Sequence, residues 1–210
     1  DVCEPESAMG MPYAKVTLDG NTAYADENGD FSIAGSGNIT SKLEGRWFNV
    51  NNNYSSDSII TQSSLNPFIM HNEDNNSEMY RAEVNGYLQA NIVRDFALHY
   101  APAYPTIGTQ LSFPVEVNAN DGWLCNAYYA GSYIIFLISG NGCNNTAFSV
   151  IVHHEYGHHL VSVAGSGQGQ YGEGMGDVMG VLITGDNELG RGFLVGQCFN
   201  GIRDANNNKQ

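Results

Sequence analysis

Residues 153–159 read HHEYGHH and hold four of the six histidines in this 210-residue chain. Within them, His154, Glu155 and His158 form the pattern H-E-x-x-H. Positions i and i+4 of a helix lie on one face, with Cβ atoms about 5–6 Å apart. Two imidazoles at that spacing can bind one zinc ion, and Glu155, beside the first of them, can reach a metal-bound water. The spacing therefore predicts a zinc site in which Glu155 is the general base.

The alternative for this motif is a polar stripe of buried histidines without a metal. We disfavour it, because burying several imidazoles and a carboxylate without a metal costs free energy. The neighbouring His153 and His159 face other directions on the helix, so we expect them to pack or to support the ligands. We interpret His71 and His99 as structural, because they lack acidic or histidine partners at helical spacing.

Two histidines leave such a site incomplete, because a catalytic zinc ion has three protein ligands and one open position. The next candidates are Glu173 and Asp177, which share one face of a second predicted helix. We expect Glu173 to bind the metal, since flanking glycines allow the backbone to approach closely. We expect Asp177 to orient a ligand histidine. The alternative is that both acids merely suit a helix N-terminus.

The flanking sequence predicts the elements that position these residues. Strand-like runs occupy residues 13–50, and a polar, irregular segment follows over residues 51–77. Ser77 precedes a helical pattern that APAYP (101–105) stops. Three strand-like runs (QLSFPVEVNA, WLCNAYYAG and SYIIFLIS) lead to a helix over about 147–164, capped from residues 144–146, and a second helix over about 173–184. This order predicts an α+β fold.

Composition limits the classes of partner. The net charge of −14 repels phosphate backbones, which argues against nucleic acid as a partner. No apolar run approaches the roughly 20 residues that a membrane helix needs. The start, DVCEP, has neither a basic region nor an apolar stretch. We expect any secretion signal to have been removed or to lie outside this sequence.

The four cysteines contain no CxxC pair, which argues against a zinc-thiolate site. Cys125 and Cys143 flank a predicted strand pair, so we predict a disulfide between them and an oxidising compartment. Either Cys3 and Cys198 pair with each other, or Cys198 pairs with a cysteine outside this sequence.

Calcium is a second candidate cofactor. The DENGD segment (26–30) has neither a glycine at the loop position where an EF-hand requires one nor the distal glutamate, so a plain turn is favoured there. The cluster Asp186-Asn187-Glu188 offers carboxylates to Ca²⁺, but a solvated loop at the end of a helix is the favoured interpretation.

HHEYGHH followed by GEGMGD resembles the gluzincin metallopeptidases, whose pattern is H-E-x-x-H and then E-x-x-x-D on a following helix. Within that clan the chain is most similar to the fungalysin-like and thermolysin-like branch, over about residues 78–195. QANIVRDFALHY (89–100) resembles the first helix of the fungalysin-like catalytic unit. The segment Asn126-Ala127-Tyr128-Tyr129 resembles the edge strand on which these enzymes lay the substrate backbone. The resemblance implies that Asn126, Ala127 and Tyr128 bind substrate.

The resemblance also implies the domain organisation. Residues 77–210 would be a zincin-like metallopeptidase domain, with a mixed sheet, an active-site helix and a glutamate helix. Residues 1–76 would be a small β-rich N-terminal segment with a linker, either an accessory module or the remnant of a propeptide.

Three departures from related patterns matter. The metzincin continuation fails, because Val161 and Ala164 stand where its glycine and third histidine would be. Only 14 residues separate His158 from Glu173, fewer than in larger gluzincins. The chain has 33 residues after Asp177, with no equivalent of the helical subdomain that supplies a Tyr or His to stabilise the oxyanion. Either the domain is truncated at its C-terminus or the enzyme works with a smaller cleft.

Together these features predict a secreted, monomeric, zinc-dependent metalloendopeptidase that hydrolyses protein or peptide substrates with a zinc-activated water and Glu155 as general base. One alternative is a zinc aminopeptidase of the same clan, although its G-x-M-E-N signature is absent. The other is a non-catalytic extracellular β-rich binding module whose zinc site is structural or vestigial. A fourth protein ligand to the metal would favour that module.

Overall fold

In the computed structural model, which describes residues 2–66, 68–72 and 76–206, the chain forms a mixed β-sheet and three helices. The helices are α1 (Glu78–Tyr100), α2 (Ser149–Val163) and α3 (Gly169–Thr184). The strands are β1 (Ala14–Leu18), β2 (Asn21–Tyr24), β3 (Asn38–Gly45), β4 (Phe48–Asn52), β5 (Ile59–Ser63), β6 (Phe113–Ala119), β7 (Ala127–Tyr129), β8 (Ile134–Leu137), β9 (Glu188–Leu189) and β10 (Arg203–Asp204). The predicted α+β class is confirmed.

The main sheet has the strand order β2-β1-β3-β4-β6-β8-β7, and an eighth strand, β5, also pairs with β3. The pairs β4–β6 and β6–β8 are parallel, whereas β7 pairs antiparallel with β8 and ends the sheet. β9 and β10 form a separate small hairpin. An Asp19-Gly20 turn joins β1 to β2.

The sheet continues through the predicted N-terminal segment into the strands that follow it. Val50 of β4 pairs with Val115 of β6. The segment 51–77 was expected to be irregular, which is wrong in part because β5 lies inside it and pairs with β3. Its side chains alternate between exposed and half-buried, so its polarity hid a strand at the sheet surface. The division at residue 76 stays a prediction.

The long helix α1 begins and ends where its signals indicate. The Ser77 hydroxyl accepts a hydrogen bond from the backbone N–H of Tyr80, and the helix ends at Tyr100, before APAYP. Tyr87 and Val93 are fully buried in the core between α1 and the sheet. Among the described residues, none of the helices combines the length and apolar character needed to cross a bilayer.

Helix α2 starts close to its predicted position but without the predicted cap, whereas α3 starts earlier than the sequence predicts. α2 starts at Ser149 after Phe148, with no side-chain cap; the expected cap residues bond elsewhere, and Thr146 Oγ1 donates to the carbonyl of Asn126 at 3.0 Å. α3 starts at Gly169, so Glu173 lies inside the helix instead of opening it. The glycines of this stretch lower helix propensity, but packing against α2 outweighs propensity.

Two disulfides connect distant parts of the chain. The predicted Cys125–Cys143 pair is bonded and encloses β7 and β8. Cys3 is bonded to Cys198, which decides between the two alternatives for that pair. The second bond ties the N-terminal segment to the loop that precedes β10.

Candidate metal centre

Helix α2 presents two different faces. Tyr156 is buried against the sheet, with ring centroids 5.5 Å from Phe48 and 5.8 Å from Phe113. His154 and His158, one turn apart on another face, point toward α3, with their Nε2 atoms 3.2 Å apart. The aromatic contacts fix the rotation of the helix, and this rotation turns both imidazoles toward the same point.

Glu173 reaches that point from α3. One carboxylate oxygen lies 3.3 Å from His154 Nε2, and the other lies 3.4 Å from His158 Nε2. Ligand atoms of these three residues all lie within 4.8 Å of one another. We call this group the His-His-Glu cluster. Its glutamate side chain is 65% exposed, so solvent can approach from that side.

The cluster fits a zinc ion. Ligand atoms placed about 2.0–2.1 Å from a tetrahedral metal are separated from one another by about 3.3–3.4 Å. The separations of 3.2, 3.3 and 3.4 Å, the last two measured to different carboxylate oxygens of Glu173, are of that size. Two imidazole nitrogens and one carboxylate are also the donor set of a known class of catalytic zinc sites. No fourth protein ligand belongs to the cluster within the described part of the chain.

The opposite ring nitrogens of both histidines have partners. His154 Nδ1 lies 2.8 Å from a carboxylate oxygen of Asp177, and His158 Nδ1 lies 2.9 Å from Gln168 Oε1. Arg203, on β10, donates to the same Asp177 oxygen at 2.8 Å. Burial alone would raise the pKa of Asp177, but the hydrogen bond with His154 and the charge of Arg203 lower it. Asp177 therefore stays ionised and holds the His154 ring.

Glu155 lies beside the cluster, with only 6% of its surface exposed. Burial raises the pKa of its carboxyl group to about 7, and the charge of Glu173 acts in the same direction. His154 and the backbone N–H of Tyr129, which donates to the carboxylate, oppose the shift. A carboxyl group with this pKa can accept and release a proton near neutral pH.

The three residues predicted to bind substrate lie at the edge of the sheet. Ala127 and Tyr128 belong to β7, which pairs with β8 on one side, and Asn126 precedes it with an exposed side chain. The Tyr128 hydroxyl donates to Asp121 at 3.0 Å. The contact from Tyr129 to Glu155 places this edge next to the cluster.

The other histidines make contacts outside the cluster. His153 Nε2 lies 2.9 Å from Gln89 Oε1, and His159 Nε2 lies 2.8 Å from Gln110 Oε1. Burial lowers the pKa of His153 to about 3 and that of His159 to about 4, so both are neutral at pH 7.

The loop at Asp186 gives no support to the calcium expectation. The Asp186 carboxylate accepts from the guanidinium of Arg191 at 2.7 Å and from the backbone N–H of Glu188 at 2.9 Å. The arginine supplies the positive charge that a calcium ion would otherwise bring.

Sequence reasoning missed Arg203 and Gln168. Arg203 follows Asp177 by 26 positions, and only the β9–β10 hairpin brings it back to the site. Gln168 stands in a glycine-rich stretch between the two predicted helices. Its position ten residues after His158 carries no helical spacing signal.

No protein-family model matches the chain, and no curated protein matches it significantly. Among solved structures, the chain is similar to the precursor of protealysin, a metalloproteinase from Serratia proteamaculans, with a TM-score of 0.52 and 16% identity. The match covers 72% of this chain and 49% of that one, so this chain spans about half the length of that structure. At this identity the likeness shows the fold alone: the chain has a fold similar to that of a metalloproteinase precursor.

Proposed function

We propose that the chain is a secreted, zinc-dependent metalloendopeptidase of the gluzincin type. The observation that carries the proposal is the near-equal separation of the three donor groups, 3.2 to 3.4 Å, in the His-His-Glu cluster. The likeness in fold to a metalloproteinase precursor supports the same class. His154, His158 and Glu173 would hold the zinc ion, which supplies Lewis acidity when bound.

Glu155 is the general base in this proposal. It takes the proton of the water that attacks the peptide carbonyl and delivers it to the leaving amine. Its burial supports this role, because a pKa of about 7 suits a group that must both accept and donate. Asp177 keeps His154 in one orientation, and Arg203 holds Asp177 in place.

The substrate binds along β7 as an added strand. The side of β7 away from β8 offers backbone N–H and C=O groups at the sheet edge. Asn126, Ala127 and Tyr128 would hold an extended peptide there, and its scissile carbonyl would lie near Glu155.

Residues 77–210 would form the catalytic domain of a monomer. Residues 1–76, which include β1 to β5, would form the N-terminal segment, either an accessory module or the remnant of a propeptide. Two disulfides support an oxidising, extracellular location.

The test combines metal analysis with peptide cleavage. The wild-type chain should bind one equivalent of zinc and cleave peptides whose amino end is blocked. Glu155→Gln should keep the zinc and lose roughly 10²–10⁴-fold in cleavage rate, the usual contribution of a general base. Glu44→Gln, which alters an ion pair with Lys15, is the matched control and should keep both properties. A chain without zinc affinity, or a fully active Glu155→Gln, would refute the proposal. Cleavage of unblocked peptides alone would indicate an aminopeptidase.

A further inference from the structure

We propose that Gln168 is a positioning residue that fixes the orientation and the tautomer of His158 and so prepares this histidine for a divalent metal. The inference rests on the proposed function, because the metal in question is the proposed zinc ion. It adds a residue that neither the H-E-x-x-H pattern nor the downstream acids indicate.

Gln168 contacts the same histidine at two points. Its Oε1 lies 2.9 Å from the ring atom Nδ1 of His158, and its Nε2 donates to the backbone carbonyl of His158 at 2.9 Å. One contact holds the ring and the other holds the main chain behind it. A side chain bonded to both ends of one residue restricts rotation about the torsions that lie between them.

This pair of contacts also determines where the proton lies. A backbone carbonyl only accepts hydrogen bonds, so the amide NH₂ of Gln168 must face the His158 carbonyl. The amide oxygen therefore faces Nδ1, and it too only accepts. In the neutral ring, Nδ1 must then carry the proton, which leaves the lone pair on Nε2. That nitrogen is the one that lies 3.4 Å from Glu173 and 3.2 Å from His154.

Gly172 leaves the space that this arrangement needs. A Cβ atom on Gly172 would lie 2.5 Å from Gln168 Oε1 and 3.2 Å from His158 Nδ1. A side chain on the residue directly before Glu173 would therefore displace the amide. Gln168 stands at the N-cap position of α3 without capping the helix, so its side chain is free for the histidine.

The two ligand histidines consequently have different partners. His154 donates to a carboxylate that an arginine neutralises, whereas His158 donates to a neutral amide. A neutral acceptor orients the ring without bringing a further negative charge next to Glu173 and the buried Glu155. Removal of a hydrogen-bond partner of a ligand histidine typically lowers metal affinity by roughly 10- to 100-fold.

The experiment measures zinc affinity by competition with a chromophoric chelator. Gln168→Met keeps the length of the side chain and removes both contacts, and should weaken zinc binding by roughly 10- to 100-fold. Gln168→Glu keeps an oxygen for Nδ1 and should recover at least part of the loss. Gln110→Met is the matched control, because Gln110 makes the same kind of contact with His159, outside the cluster. It should bind zinc as the wild type does.

A second readout needs no metal. In the zinc-free protein, long-range ¹H–¹⁵N NMR spectra should show the wild-type His158 protonated at Nδ1, and this preference should disappear in Gln168→Met. If that variant does not fold, Gln168→Asn, which is too short for both contacts, carries the same two expectations. Wild-type affinity and an unchanged tautomer in the variants would overturn this inference alone. A wild-type chain that binds no zinc would overturn the proposed function as well.

Discussion

Gly157 and Gly176 meet where α2 crosses α3: a Cβ atom on Gly157 would lie 2.8 Å from the Cα atom of Gly176. The two backbones are therefore in contact, with no room for a side chain between them. Glu173 lies one turn before Gly176, so this approach places its carboxylate opposite His154 and His158. The distances in the cluster thus depend on how closely the two helices approach.

We expect Gly176→Ala to disrupt the cluster. The added Cβ atom would lie 2.6 Å from His154 Nδ1, so either the ring or the helix must move. Overpacking of this kind costs about 1–3 kcal/mol, more than the gain in helix propensity of about 1 kcal/mol. Thermal unfolding should show a lower stability, and a chelator competition should show weaker zinc binding.

Gly174→Ala is the matched control for this prediction. It lies on the same helix, and a Cβ atom there would meet nothing within 4 Å. It should stabilise the protein by about 0.4–1 kcal/mol without changing zinc affinity. Equal zinc affinities in the two variants would show that close approach of the helices is not required.

Asp177→Asn tests the contact between Asp177 and His154. The asparagine has the same size but lacks the charge that holds His154 Nδ1 and Arg203. We expect zinc affinity to fall by roughly 10- to 100-fold with little change in folding. Asp186→Asn, which alters the ion pair with Arg191, should leave zinc affinity unchanged. If both variants bind zinc equally well, Asp177 does not orient the ligand.

His71 should make the stability depend on pH. Its Nε2 contacts the Ser41 hydroxyl at 3.1 Å, and burial lowers its pKa from 6.5 to about 4. Between these values the unfolded chain binds a proton that the folded chain excludes. The contribution of His71 to the free energy of unfolding is therefore complete above pH 6.5. It is lost as the pH falls toward 4, by about 1.4 kcal/mol per pH unit.

His71→Gln removes this titration but keeps a group that can bond to Ser41. Urea unfolding of the zinc-free protein at several pH values gives the free energy of unfolding as a function of pH. Below pH 6.5 this free energy should change less steeply with pH in the variant than in the wild type. Above pH 6.5 the two slopes should agree, which serves as the internal control. Identical slopes throughout would mean that His71 takes up its proton in the folded state as readily as in the unfolded chain.

The Cys125–Cys143 bond should contribute substantially to stability. It closes a loop with a sequence separation of 18 that contains β7 and β8. Closing a loop of this length lowers the entropy of the unfolded chain, which stabilises the folded state by about 3 kcal/mol. We expect the double Cys→Ser variant to unfold roughly 6–12 °C lower than the wild type in a thermal scan. A reductant should then lower the melting temperature of the wild type more than that of the variant. An unchanged melting temperature in the variant would contradict the prediction.

Much of the fold follows from local signals. The cap at Ser77 and the stop at residues 101–105 define α1, and the strand-like run SYIIFLIS contains the buried strand β8. The start of α3 was predicted too late, because four glycines between 165 and 172 indicate a turn when only propensity is considered. Of these four, Gly172 lies against α2, where a Cβ atom would come within 3.2 Å of His158 Nδ1. Such contacts between α3 and α2 are not visible in a local window of sequence.

The sequence alone determined that His154, Glu155 and His158 share one helical surface, because a rise of about 1.5 Å and 3.6 residues per turn hold in any helix. It also named Glu173 and Asp177 as candidates. Only the tertiary structure decided which acid comes within 3.4 Å of the imidazoles. It also brought Gln168 to His158 and Arg203 to Asp177. The reason is physical: helical spacing is fixed by the backbone hydrogen bonds of a single segment. The approach of α3 and of the β9–β10 hairpin depends on packing between segments that no local pattern encodes.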